Sequence, residues 1–147
     1  MICQTTHNRN KQVAAHVSRS KHLDMAIKGG VDDVVHMVID NLPDSLITFM
    51  IEKNMYWVPT LELWKGVSER YNLNWISVAK NNLIRFVNAG GKVAVGTDYD
   101  GYVTPFDLGM PITEIRLMNE EGIIPMKIIV AGSKNDTRGC KIENGYG

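Results

Sequence analysis

The chain has 147 residues, in which 16 Lys and Arg balance 16 Asp and Glu. That length fits one domain with a sizeable core, and zero net charge without a basic run argues against nucleic acid as the main partner. No apolar run is long enough to span a membrane, residues 1–11 lack the apolar stretch of a signal peptide, and Cys3 and Cys140 neither form a metal cluster alone nor demand a disulfide, so a cytoplasmic setting is the default.

Two kinds of segment alternate. Residues 12–17 form a short, near-continuous apolar run of the kind expected for a strand buried on both faces of a parallel sheet. Leu23, Ala26 and Ile27 then recur at helical spacing, with Ser18 or Ser20 as candidate caps and Gly29-Gly30 as a stop. Residues 33–38 read as a second strand. Leu46, Phe49 and Met50 mark a helix after Pro43-Asp44, and residues 56–61 a third strand. The longest stripe, Ile76, Ala79, Leu83, Phe86 and Val87, starts after Asn74 and ends at Gly90-Gly91. Residues 92–97 are the fourth strand. Pro111 opens a helix carrying Ile112 and Ile115. Pro125 opens a last one with Met126, Ile129 and Val130 on one side. Residues 136–147, polar and rich in glycine, read as a loose tail.

Alternating strands and helices predict an α/β protein with a parallel sheet and right-handed crossovers. Four such units leave two architectures open: a small doubly wound sheet, or part of a closed eight-strand barrel.

Three ligand-type residues fall at equivalent places. His16 ends the first strand, His36 the second, and Asp98 follows the fourth. The C-terminal ends of parallel strands form the reactive rim of such folds, and two neutral imidazoles with a carboxylate suit a zinc-type site. A carboxylate there can also take a proton from an attacking water. Each residue has a plainer reading: a hydrogen-bonded rim histidine, or an aspartate capping the next turn. Their convergence at one level of the sheet favours the metal reading. Other candidates are weaker. His22 lies on a charged helix face, and His7 in a polar stretch with no evident partner. Asp98-Tyr99-Asp100-Gly101 lacks the spacing and closing Glu of a calcium loop. Trp57, Trp64 and Trp75 read as packing residues, with Trp64 placed where it could line a pocket. No serine or cysteine sits in a nucleophile motif.

The blocks Ala14-Ala15-His16-Val17, residues 29–36 ending in Val34-Val35-His36, Val58-Pro59-Thr60-Leu61, and residues 90–98 ending in Gly96-Thr97-Asp98 resemble, in this order, the metal-dependent amidohydrolase superfamily, in its imidazolonepropionase-like and prolidase-like branch. Residues 119–126 resemble that branch's stretch after the last strand. The resemblance implies a partial TIM-type (β/α)8 barrel: four βα units resembling strands five to eight, plus a trailing helix, over residues 1–135. Residues 136–147 then resemble the start of a return to a missing β-sandwich. It implies His16 and His36 as metal ligands and Asp98 as both metal contact and general base. Thr60 and Tyr99 would belong to the substrate pocket. The implied cofactor is a divalent metal, zinc first, and the implied substrates are small amides, cyclic amides or dipeptides. The family's strand-one His-x-His and strand-four lysine have no counterpart here. The expectation is therefore a fragment of a hydrolase that is weak or inactive alone. Its free edges near Val13 and Val93 would favour a homo-oligomer or association with the missing N-terminal half. The alternative is a non-catalytic relic or interaction module.

Overall fold

A computed structural model describes residues 2–98, 107 and 109–135. Among these, four short strands form one parallel sheet in sequential order: β1 (Ala14–His16), β2 (Asp33–Val35), β3 (Tyr56–Val58) and β4 (Lys92–Val93). Val34 stands between Ala15 and Trp57, and Trp57 pairs onward with Val93. A doubly wound sheet reverses its order at a switch point, and this sheet has none. The sequential order is that of a barrel segment.

A helix α1 (Ile2–His7) precedes the sheet. The crossovers are α2 (Ser20–Gly29), α3 (Asp44–Glu52), and the pair α4 (Leu61–Tyr71) and α5 (Trp75–Asn88). After β4 come α6 (Ile112–Glu120) and α7 (Pro125–Val130), which runs into a π-helical turn, Ala131–Asn135. The core lies between sheet and helices. Val34 and Trp57 from the strands meet Leu23, Met50, Leu83 and Phe86 from α2, α3 and α5, all fully buried. Trp57 and Phe86 pack edge to face, with centroids 5.1 Å apart, a favoured aromatic geometry. Gly91 is required beside this pair, because a Cβ there would sit 2.4 Å from the Phe86 ring.

Several local expectations are corrected. The strands are shorter than the apolar runs, and in the segments that follow β2, β3 and β4 the residues His36, Thr60 and Asp98 have φ of 73°, 51° and 54°. Leu61 opens α4, a helix that the apolar pattern did not reveal, because the polar Glu62 and Ser68 share its buried positions with Leu61 and Trp64. Arg19, rather than Ser18 or Ser20, is the N-cap of α2. The Ser20 amide instead donates to Asp40 Oδ1 at 2.9 Å. Phe49 is exposed, and Leu46, Ile47 and Met50 form the buried face of α3. Pro111 caps α6 from outside; Ile112 is exposed, and Glu114, Leu117 and Met118 are buried. Pro125 does open α7, yet Met126 and Ile129 face solvent and only Ile128 is buried. His7 has a partner after all: its Nε2 lies 2.8 Å from Asp32 Oδ2, which also accepts the Val13 amide and so ties α1 to the start of β1. Among the described residues, no helix is long and apolar enough to cross a membrane. Tyr99, Cys140 and residues 136–147 lie outside the described residues.

Candidate functional site

Parallel pairing puts the C-terminal ends of β1 to β4 side by side, so whatever follows each strand meets its neighbours at one rim. His16 is the last residue of β1 and is exposed. His36 follows β2 directly and is 1% exposed. Its amide continues the ladder by donating to Val58 O at 2.9 Å, and the Trp57 indole donates to its carbonyl at 2.6 Å. The backbone of His36 is thus held from both sides by β3.

The His36 ring is held by three neighbours. Nδ1 lies 2.8 Å from Thr60 Oγ1, and Nε2 lies 2.7 Å from Nδ1 of His16. Asp98 Oδ2 is 3.5 Å from the same Nε2. The two imidazoles meet edge to face at 4.1 Å, and Trp64 stands across His36 at 6.1 Å. Burial lowers the His36 pKa below the ordinary histidine value; the neighbouring His16 lowers it further, and Asp98 opposes both. The ring is therefore held toward its neutral form, the form that ligates metals.

Backbone strain gathers at the same place. Apart from glycines, the described residues with positive φ are Asn10, Asn54 and Asn72, together with His36, Thr60 and Asp98. Asparagine tolerates the left-handed region, whereas a β-branched residue such as Thr60 is a real outlier there. Such strain persists where surrounding structure enforces it, and it clusters at functional sites.

Of the five residues singled out in the sequence, the structure brings His16, His36, Thr60 and Asp98 together, and Tyr99 is outside the described residues. The pattern missed two groups. Trp57, a packing residue by its pattern, also donates its indole N–H to the His36 carbonyl. Glu114, fully buried on α6, accepts the Leu61 and Glu62 amides at the start of α4. Trp64 Nε1 and Glu62 Oε2 are buried without a hydrogen-bond partner among the described residues.

The donor chemistry suits a divalent cation: two imidazole nitrogens that point at each other, with a carboxylate oxygen beside them. Among the described residues no three such side chains stand in a ligating arrangement. His16 Nδ1 and His36 Nε2 stand 2.7 Å apart, a hydrogen-bond distance. Two nitrogens on one tetrahedral ion, each at ~2.0–2.1 Å, stand roughly 3.3 Å apart. A small opening of the exposed His16 ring would supply the difference.

No family model matches the sequence, and no curated protein matches it. Solved structures do. A Xaa-Pro dipeptidase with methionine bound in its active site superposes with a TM-score of 0.79 at 24% identity, over 95% of this chain and 36% of that one. The ochratoxinase of A. niger matches with a TM-score of 0.75 at 21% identity, over 94% of this chain and 32% of its own. A molinate hydrolase matches with a TM-score of 0.70 at 18% identity, over 95% and 35%. The fold is that of part of the barrel these hydrolases share. At these identities the likeness is one of fold, and the chain spans about a third of the length of the solved structures it matches.

Proposed function

We propose that this chain carries part of the active site of a metal-dependent hydrolase that cleaves carbon–nitrogen bonds of small amides, dipeptides among them. The observation that carries the reading is the convergence of His16 Nδ1, His36 Nε2 and Asp98 Oδ2 at the C-terminal rim of a parallel barrel segment. His16 and His36 would hold a divalent ion, zinc first, with Asp98 beside them. Such an ion acidifies water and polarises a carbonyl. The residues themselves do the rest. Thr60 orients the His36 ring through Nδ1. Asp98, half-exposed and 3.5 Å from His36 Nε2, would take a proton from the attacking water as general base. Trp64 stands edge to face against the His36 ring on one side. The dipeptide class is supported by the fold likeness to a Xaa-Pro dipeptidase. The chain lacks a His-x-His sequence, so the three donors form an incomplete set and hydrolysis by this chain alone is expected to be weak.

Native mass spectrometry of the purified chain titrated with zinc tests the reading. One bound zinc per chain, lost on His36→Ala, is the expected result. Identical zinc uptake by the wild type and both histidine variants would refute it. So would rapid hydrolysis of a dipeptide by the His16→Ala/His36→Ala double variant.

A further inference from the structure

A helix leaves its first amides without partners, and a threonine at the N-cap ordinarily supplies its own hydroxyl to one of them. Thr60 occupies the N-cap of α4 and makes no such bond. Its Oγ1 lies 2.8 Å from His36 Nδ1 instead. The backbone of Thr60 is also unusual for a cap, at φ 51° rather than extended. The start of α4 is buried, so its amides cannot turn to water: Thr60 and Leu61 are both fully covered. The missing cap comes from another helix. Glu114 Oε1 accepts the Leu61 amide at 2.9 Å, and Oε2 accepts the Glu62 amide at 2.7 Å, from 53 and 52 residues away. Glu114 is itself fully buried.

The Thr60 hydroxyl is engaged by the imidazole and not by α4, whose first amides are met by the carboxylate on α6. We propose that Glu114 is a positioning residue: by capping α4 in place of Thr60, it leaves the Thr60 hydroxyl to accept the Nδ1–H of His36, so that the Nε2 lone pair faces the rim. An imidazole whose one nitrogen is tied as a donor presents the other as a ligand or acceptor. The consequence for metal binding rests on the hydrolase reading above; the hydrogen-bond arrangement does not.

The test is NMR of the metal-free chain labelled with ¹⁵N in histidine and backbone, so that it stands apart from any result with zinc. In the wild type the His36 Nδ1–H is expected as a resonance protected from solvent exchange, with the Leu61 and Glu62 amides protected as well. In Thr60→Val, which keeps the β-branched shape, the imidazole proton should exchange at least about tenfold faster while both amides stay protected, since a hydrogen bond is lost at the ring and none at the helix. Above pH 7, where Glu114 is ionised and both its oxygens accept, Glu114→Gln offers one acceptor in place of two, and the imidazole proton should lose protection although the mutated side chain does not touch His36. A folded Glu114→Gln chain with a fully protected His36 Nδ1–H would overturn the proposal. Loss of the Leu61 and Glu62 amide protection in Thr60→Val would overturn it too, because Thr60 would then be the cap. If Glu114→Gln fails to fold, the Thr60→Val result decides alone. Absence of zinc binding would leave these readouts standing, and their failure would leave zinc binding untouched.

Discussion

The buried Glu114 makes the stability of this chain depend on pH in a direction opposite to that of most carboxylates. Burial pushes its pKa from 4.5 up to about 7; the two amide hydrogen bonds hold it back, and the neighbouring Glu62 carboxylate adds to the rise. In the unfolded chain the same group gives up its proton near pH 4.5. Between these values the folded state binds more protons than the unfolded one, so stability falls as pH rises through the window and levels off above it. Each pH unit of the difference is worth about 1.4 kcal/mol, which gives about 3 kcal/mol of stability present below pH 4.5 and gone above pH 7. Because Glu62 is close, part of this change belongs to the pair. Glu114→Gln removes the titration. The variant loses about 1–3 kcal/mol from an amide left poorly paired, but it loses this at every pH. Urea unfolding of both proteins at several values between pH 5 and 8 reads the effect. The Gln variant should gain on the wild type by about 2.5 kcal/mol across that range, while the contribution of His36 cancels in the difference. Parallel stability profiles would refute the reasoning and mean that Glu114 is ionised in the folded chain throughout.

Three further outcomes follow from the same geometry. Asp98→Asn keeps a residue that tolerates φ 54°; urea unfolding should show stability unchanged within about 0.5 kcal/mol, and calorimetric zinc titration should show affinity down at least about tenfold. Trp57→Phe keeps a ring in the core but removes the 2.6 Å donor to the buried His36 carbonyl; a loss of about 1–3 kcal/mol in chemical denaturation is expected. Asn82→Ala deprives the Val38 and Asp40 carbonyls of the Nδ2 donor they share at 2.8 and 3.0 Å, so hydrogen exchange after β2 should rise and stability should fall by about 2 kcal/mol.

The four βα units were legible because parallel strands buried on both faces read as short apolar runs, and the runs lie where the strands formed. Helix α4 was not, because its buried face mixes Leu61 and Trp64 with Glu62 and Ser68, and a polar residue interrupts an apolar stripe whether or not it is buried. The strand ends were misjudged for a related reason. Left-handed backbone is announced by Gly or Asn, and here it falls on His36, Thr60 and Asp98. The meeting of the two histidines with Asp98 was nonetheless legible, since equivalent positions after parallel strands come together at one rim. Glu114 carried no signal at all: a single acidic residue on an otherwise ordinary helix, whose partners are main-chain amides more than fifty positions away. The exposed Met126 and Ile129 on α7 show the limit of periodicity, which marks an apolar face without saying what covers it.

The proposal that His16, His36 and Asp98 hold one cation is tested most directly by zinc K-edge X-ray absorption on the zinc-loaded chain. Two imidazole nitrogens at ~2.0–2.1 Å, together with oxygen donors, are the expected first shell, with one imidazole lost in His36→Ala and one in His16→Ala. A shell of oxygens alone, or an imidazole count unchanged by both substitutions, would contradict it.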